Sequence, residues 1–394
     1  VGYTNGQTLT ISNCLYVPAA LESGETSAEF GSTLYNNSID SQPKTSVTCE
    51  NCYYTEARGT AQGKETSIYA TAPAHLGTLV KDYKKDYGFS TTYENGILFG
   101  GNYYVGPIVF ADDADNDVAS VNGTTANVIF EGRTLYKDNN WNTLCLPFDV
   151  SDGDDTDDKT FTGTVLEGAT VKELDTEGTY DKGKQTGLAT DGTLYLYFKD
   201  ATEIKAGKPY LIKWTSGDDI VNSTFRNVTI SNAATTITAS NSGLGTVQFI
   251  GTYSPVNLDG DDASNLYLGV STNDNDTPED SSDDYQQSAL YYPSSNMSIK
   301  AFRAYFHVDL SSGSQTSNGV RAFVLNFGDN DETTEIVDIE HGEPSGRAER
   351  NMEHSDNAVY DLQGRRVASS MLNVQSSMLK KGVYIYKGNK VVIK

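Results

Sequence analysis

Carboxylates, thiols and aromatic rings are dense enough in this sequence to do chemistry. The carboxylates cluster in three runs: Asp112-Asp113-Ala114-Asp115-Asn116-Asp117, Asp152-Gly153-Asp154-Asp155-Thr156-Asp157-Asp158, and Asp274 through Asp284. Calcium takes about six to eight oxygen ligands, so runs of this kind have the right donors. None has the D-x-[DN]-x-[DN]-G spacing with a distant Glu that builds an EF-hand loop, and they read as solvated turns of an acidic surface. Asp152, Asp154, Asp155 and Asp157 are the calcium candidates; no other cofactor is expected. Among the thiols, Cys49-x-x-Cys52 has redox-motif spacing but no βαβ pattern around it, which favours a disulfide or simple packing. Cys145 lies in the apolar run Leu144-Cys145-Leu146 and reads as buried and inert.

The four histidines, His75, His307, His341 and His354, are scattered and show none of the spacings of a zinc site. No G-x-S-x-G elbow and no phosphate-binding glycine motif occurs, and nothing singles out a catalytic pair among the 53 acids. No catalytic residue is therefore expected, and the chain reads as non-enzymatic. Tyr53-Tyr54, Tyr103-Tyr104, Tyr195/Tyr197, Tyr291-Tyr292 and the two tryptophans are left as a sugar-stacking surface or as core. Neighbouring rings on a strand point to opposite faces, so half of them should be exposed.

The elements that must position these groups are strands. The chain has 394 residues, with 36 Gly, 25 Tyr and only 10 Pro, and short runs of Val, Ile, Thr and Tyr lie between turn residues. The expected fold class is all-β. One stretch, Leu76 to Tyr87, carries apolar residues at helical spacing and is the single helical expectation. A net charge of -24 repels phosphate backbones and anionic lipid, so neither nucleic acid nor a membrane surface is an expected partner. No apolar run reaches transmembrane length. The chain opens on Val1-Gly2-Tyr3 in mid-pattern, which reads as a truncated or processed N-terminus.

Residues 1–66 contain a small repeat. Leu9-Thr10-Ile11-Ser12-Asn13-Cys14-Leu15-Tyr16 is echoed by Val47-Thr48-Cys49-Glu50-Asn51-Cys52-Tyr53-Tyr54. Such a period implies stacked rungs, with Asn able to form a side-chain ladder and Cys acting as a small buried hydrophobe. The residues resemble the GLUG-type repeats of bacterial surface proteins, which implies the end of a β-solenoid. Two rungs cannot bury a core, so this piece should lean on the next region, 67–130. There Gly96 to Val105 reads as two strands about a Gly-Gly-Asn turn.

Residues 131–330 offer strand candidates at Arg133–Tyr136, Trp141–Phe148, Leu194–Phe198, Tyr210–Trp214, Asn227–Ile230, Val247–Ile250, Leu266–Val270, Ile299–Val308 and Gly319–Phe327. That number suits a β-sandwich. The runs G-R-T-L-Y-K, W-N-T-L-C-L-P-F, A-G-K-P-Y-L-I and A-F-R-A-Y-F resemble a module of large Bacteroidota surface proteins that sits before a sorting domain. Residues 331–356 read as a linker, with 333–339 expected to supply a first strand to the tail that follows.

The tail, 357–394, carries V-Y-D-L-Q-G-R-R-V, then L-K-K-G-V-Y-I-Y, then K-V-V-I-K, which read as three short strands, with Gly388-Asn389 as a hairpin turn. Seven bases oppose one acid, Asp361, against the sign of the rest of the chain. These blocks resemble the C-terminal sorting domain of proteins exported by the type IX secretion system of Bacteroidota, a small Ig-like β-sandwich. The resemblance implies that Asp361, Gly364, Arg365, Arg366, Gly382, Tyr384 and Lys390 carry the sorting motif, with the secretion machinery as partner. It also implies a secreted or outer-membrane surface location. The expected role is structural or adhesive, toward host or bacterial glycans or matrix. The alternatives are a glycan-binding module of a polysaccharide-capture system and the accessory region of a surface hydrolase.

Overall fold

The computed structural model describes residues 8–27, 31–35, 46–87, 90–151, 161–180, 183–190, 192–242, 245–260, 262, 264–273, 285–310, 320, 322–328, 337–338, 359–361, 366–368, 382–386 and 389–393. Strands dominate them, and the all-β class holds.

The repeat sets the register of the first region. Thr8–Ser12 pairs in parallel with Ser46–Glu50, and Leu15–Tyr16 with Tyr53–Tyr54, which pairs in turn with Lys64–Glu65. The chain turns each corner at an asparagine in the left-handed region, Asn13 (φ 55°) and Asn51 (φ 49°). Asparagine tolerates that conformation better than most L residues. Asn51 Nδ2 donates to Asn13 Oδ1 at 2.8 Å, so the expected ladder forms between residues 38 apart.

A five-stranded antiparallel sheet follows, in the order Ser67–Tyr69, Asn102–Val105, Gly96–Phe99, Ser90–Tyr93, Leu79–Lys81. Gly100 and Gly101, at φ +59° and +87°, make the two-residue turn that joins its second and third strands. The helix expected over Leu76–Tyr87 does not form as such. Ala74–Leu76 is a 3₁₀ turn, Leu79–Lys81 is an edge strand, and only Tyr83–Tyr87 is helical. Gly77 is the reason: its φ of +78° ends the turn, and a Cβ there would strike Glu94. The rungs do lean on this sheet. Asn51 Nδ2 reaches Tyr93 O at 3.4 Å, and a Cβ on Gly106 would lie 2.7 Å from the Tyr53 ring.

Beyond residue 107 the central element is a mixed sheet with both faces covered. Its main path runs Asn142–Cys145, Pro209–Lys213, Thr170–Leu174, Thr193–Asp200, Ala322–Asn326, Val337–Asp338. One face (Leu174, Leu196, Phe198, Leu211) meets a five-stranded sheet across a common core. That second sheet is ordered Thr236–Ser242, Gly245–Gly251, Ala304–Leu310, Asn265–Asn273, Tyr285–Tyr291, and contributes Val247, Phe249, Leu266 and Phe306. The other face (Leu144, Tyr210, Ile212) packs under Phe110, Val128, Phe130 and Phe225, from Ile108–Ala111, Thr125–Glu131 and Thr224–Thr229. A strand covered on both sides reads as an unbroken apolar run, which is why Tyr210-Leu211-Ile212 has no polar position.

Val337–Asp338 corrects one expectation. It pairs with Ala322–Asn326, at the edge of the central sheet, instead of opening the C-terminal sheet. Its partner strand offers a free edge nearby in the chain, and two residues suffice to extend it. The C-terminal residues form their own antiparallel sheet, ordered Arg366–Ala368, Val359–Asp361, Gly382–Tyr386, Asn389–Ile393. The first block therefore splits into two strands. Tyr386 pairs with Asn389, so Asn389 belongs to the last strand.

Candidate functional site

A cleft lies where the rungs meet the five-stranded sheet. It has a volume of about 420 Å³ and is lined by Cys49, Asn51, Cys52, Tyr53, Gly63, Lys64, Glu94 and Asn95. The rungs supply Cys49 to Lys64, and the turn between Ser90–Tyr93 and Gly96–Phe99 supplies Glu94 and Asn95. Much of this polar lining is already engaged. The Tyr53 hydroxyl donates to Asn51 Oδ1, Asn95 Nδ2 donates to His75 O at 3.0 Å, and Glu94 Oε2 accepts the Thr78 N–H at 2.9 Å. The Thr78 bond holds the Glu94 carboxyl below its ordinary pKa. Burial raises the Cys52 thiol, and burial pushes Tyr53 up to about 12. A nucleophilic cysteine needs a lowered pKa, so Cys52 is not activated. Lys64 and Glu94 give the cleft one charge of each sign.

A second cluster forms around buried Asp112, just past the strand Ile108–Ala111. Asp112 accepts two hydrogen bonds from Arg303, one of them Nη2 to Oδ2 at 3.1 Å, and Lys300 lies 3.7 Å away. Arg133, 4% exposed, donates from Nη2 to Thr143 O at 2.7 Å, while its Nε meets no acceptor among the described residues. Burial, then the nearby Arg303, pushes the Arg133 pKa well down. The cluster ties strands almost two hundred residues apart.

A third group is aromatic. Tyr180 lies flat on Tyr197, with centroids 3.9 Å apart and planes 3° apart; Tyr195 continues the same face at 6.2 Å. Lys184 Nζ stands 4.5 Å over the Tyr195 ring. Asp175 fixes the stack: it accepts the Tyr180 hydroxyl at 2.7 Å and the Glu177 and Gly178 N–H groups at 3.1 Å. Burial opposes ionisation of Asp175, but these bonds and Lys199 bring its pKa below the ordinary value.

The other expected site residues are dispersed. Asp361, Arg366, Gly382, Tyr384 and Lys390 lie on strands of the C-terminal sheet, with Tyr384 paired to both Asp361 and Val391. Gly364 and Arg365 lie outside the described residues, as do Asp152, Asp154, Asp155 and Asp157, the acidic run from Asp274, His341 and His354. In the remaining acidic run, Asp112 pairs with Arg303, Asp115 accepts from Ser254 and Asp117 from Ser120. Among the described residues no group of three or more His, Cys, Asp or Glu is arranged to hold a metal ion. Trp141, Trp214, Tyr291 and Tyr292 are all buried, so they are core. The expectation of one exposed ring per pair fails at Tyr291-Tyr292 because Tyr292 turns inward, its hydroxyl taking the Val320 N–H and donating to Val320 O.

Sequence reasoning passed over the Arg133–Arg303–Asp112 cluster and the Asp175–Tyr180 stack. Their partners are too far apart in the chain, or too ordinary in type, to announce themselves. No family model, curated protein or solved structure matches the chain. No helix among the described residues is long and apolar enough to cross a membrane.

Proposed function

We propose that this chain is a non-enzymatic bacterial surface protein, exported by the type IX machinery and working in a structural or adhesive role. The observation that carries the reading is at the C-terminus. The blocks that resemble a sorting domain lie in one small antiparallel sheet, in order, with no strand shared with the acidic body among the described residues. A basic unit of that kind is suited to recognition by separate machinery, while the parallel rungs at the other end offer an extended β surface for binding.

The test uses intact cells of a Bacteroidota strain that carries the secretion system. The full chain and a version lacking residues 357–394 are expressed, and the cells are shaved with external protease. The reading requires loss of the full chain and protection of the shortened one. Protection of both would reject it.

A glycan-capture role is the second reading, favoured by the half-buried Tyr180 and Tyr195 rings, which stack against buried Tyr197 and carry Lys184 over Tyr195. Fixed aromatic faces stack on sugar rings, and a neighbouring ammonium favours acidic sugars. A glycan-array signal lost in Tyr180→Ala would support this role, and a silent array would remove it.

A further inference from the structure

We propose that Cys14 and Cys52 form a disulfide that staples the two Asn-Cys rungs together, leaving Cys49 as a free thiol in the cleft. The spacing Cys49-x-x-Cys52 points to a different pair, and the register decides against it. Leu15 pairs with Tyr53, the Tyr53 N–H donates to Cys14 O at 2.8 Å, and the asparagine ladder joins the residues just before each cysteine. Cys14 and Cys52 are thus equivalent positions on adjacent rungs. Neighbouring strands run ~4.8 Å apart, inside the ~4.4–6.8 Å between Cα atoms that a disulfide spans.

The thiols are also turned alike. Cys14 Sγ lies 3.5 Å from the carbonyl two residues before it, Ser12 O, and Cys52 Sγ lies 3.4 Å from its own equivalent, Glu50 O. Cys52 Sγ reaches across to the earlier rung as well, 3.3 Å from Ile11 O. Cys49, by contrast, is registered against Ile11 and so has no thiol one rung away. It is also separated from Cys52 by an extended residue and the corner at Asn51. Cys145 is enclosed in the body, its thiol near Gly207 O. The environment agrees with this geometry: burial and then the nearby Cys52 raise the Cys14 thiol.

The oxidant is a disulfide. A thiolate from one cysteine attacks it to give a mixed disulfide and release one thiol. The other cysteine then displaces the second thiol, so two protein thiols become one bond and two electrons and two protons leave with the oxidant. The raised thiol pKa values make the reaction faster in mild alkali than at neutral pH.

The test treats the purified full chain with oxidised glutathione in mild alkali, alkylates it with iodoacetamide in denaturant and maps the peptides by mass. The expected product joins the Cys14 and Cys52 peptides with the loss of two hydrogens, and lowers the alkylated cysteines from four to two. Cys49→Ser keeps this cross-link and Cys14→Ser abolishes it. A Cys49–Cys52 link, a glutathione adduct with no cross-link, or alkylation of all four cysteines after the oxidation would each overturn the proposal.

Discussion

In the rungs of residues 8–66, the buried side chains include Arg58, Thr33 and Thr66 beside Ile11, Cys52 and Tyr53. Arg58 donates to Ala19 O and pairs with Glu56, Thr33 bonds to the carbonyls of Arg58 and Thr60, and Gln62 closes on Leu34 and Tyr35. The body beyond residue 107 instead buries Phe130, Phe148, Phe225, Phe249, Phe302 and Phe306, with Phe130 and Phe302 centroids 4.2 Å apart. Both regions are built of strands, yet directional polar bonds specify the first and apolar volume the second. Polar networks fix register but lose much when one member goes, whereas a packed core loses in proportion to the space opened. The rungs should therefore be sensitive to single amides, and the body to volume and to its buried charged groups.

The largest effect should come from the cluster around Asp112. Asp112→Ala takes the carboxylate away from Arg303, which is three-quarters buried, and from the neighbourhood of buried Arg133; breaking a fully buried pair costs about 3–5 kcal/mol, and the partial exposure of Arg303 sets this one at the low end. Trp141 and Trp214 are both buried in the body, so their fluorescence in a urea titration reads this loss directly. A midpoint unchanged from the parent would mean the cluster contributes nothing net.

Volume comes next. A Cβ on Gly251 would lie 2.3 Å from Cys145 Sγ, and overpacking of this kind costs about 1–3 kcal/mol. Gly251→Ala should lower the same fluorescence midpoint, and adding Cys145→Gly should recover part of the loss. If the double variant is no better than the single one, the collision is not the cause.

In the rungs, Asn51→Ala removes the bonds to Asn13, to Tyr93 O and from the Tyr53 hydroxyl, and places alanine at φ 49°. The lost bonds and the left-handed backbone each cost on the order of 1 kcal/mol. Asn51→Gly keeps the first loss and relieves the second, so it should fall between the parent and Asn51→Ala. Labelling of Cys52 in the reduced chain follows opening of the rungs, because Cys52 is buried there. Equal labelling in all three proteins would show that the ladder does not hold the corner. The body fluorescence should not change.

This contrast also explains what could be read from the sequence. The 38-residue repeat gave the rung register and the ladder because both copies carry the same residues at the same places. Trp141–Phe148 and Tyr210–Trp214 were legible as strands from their apolar runs. Thr170–Leu174, in the middle of the central sheet, was not. Its Lys172-Glu173 pair looks like a solvated surface, yet Lys172 is buried against Asp200 at 2.6 Å and Glu173 pairs with Lys208. Thr236–Ser242 was missed for a similar reason, since its polar residues mark an edge strand, paired antiparallel with the next strand in the chain, Gly245–Gly251. Sites such as Asp112–Arg303 join positions that no local pattern relates.

The smallest effect expected is a pH dependence at the join between the two regions. Neither ring nitrogen of His75 has a partner among the described residues; the ring stands edge-on to Tyr69 at 5.7 Å. Burial lowers its pKa from the ordinary 6.5, so the folded chain prefers the neutral ring. The unfolded chain then binds more protons near and below that value, and stability rises with pH through the window. The contribution is complete above about 6.5 and is lost as the pH falls below it. Amide exchange in the sheet from Ser67 to Val105 should therefore quicken between pH 7.5 and 5.5, after correction for the intrinsic rate. His75→Phe should remove most of that change while leaving the body untouched. A variant with the same pH response as the parent would place the effect elsewhere and would mean that His75 is hydrated in solution.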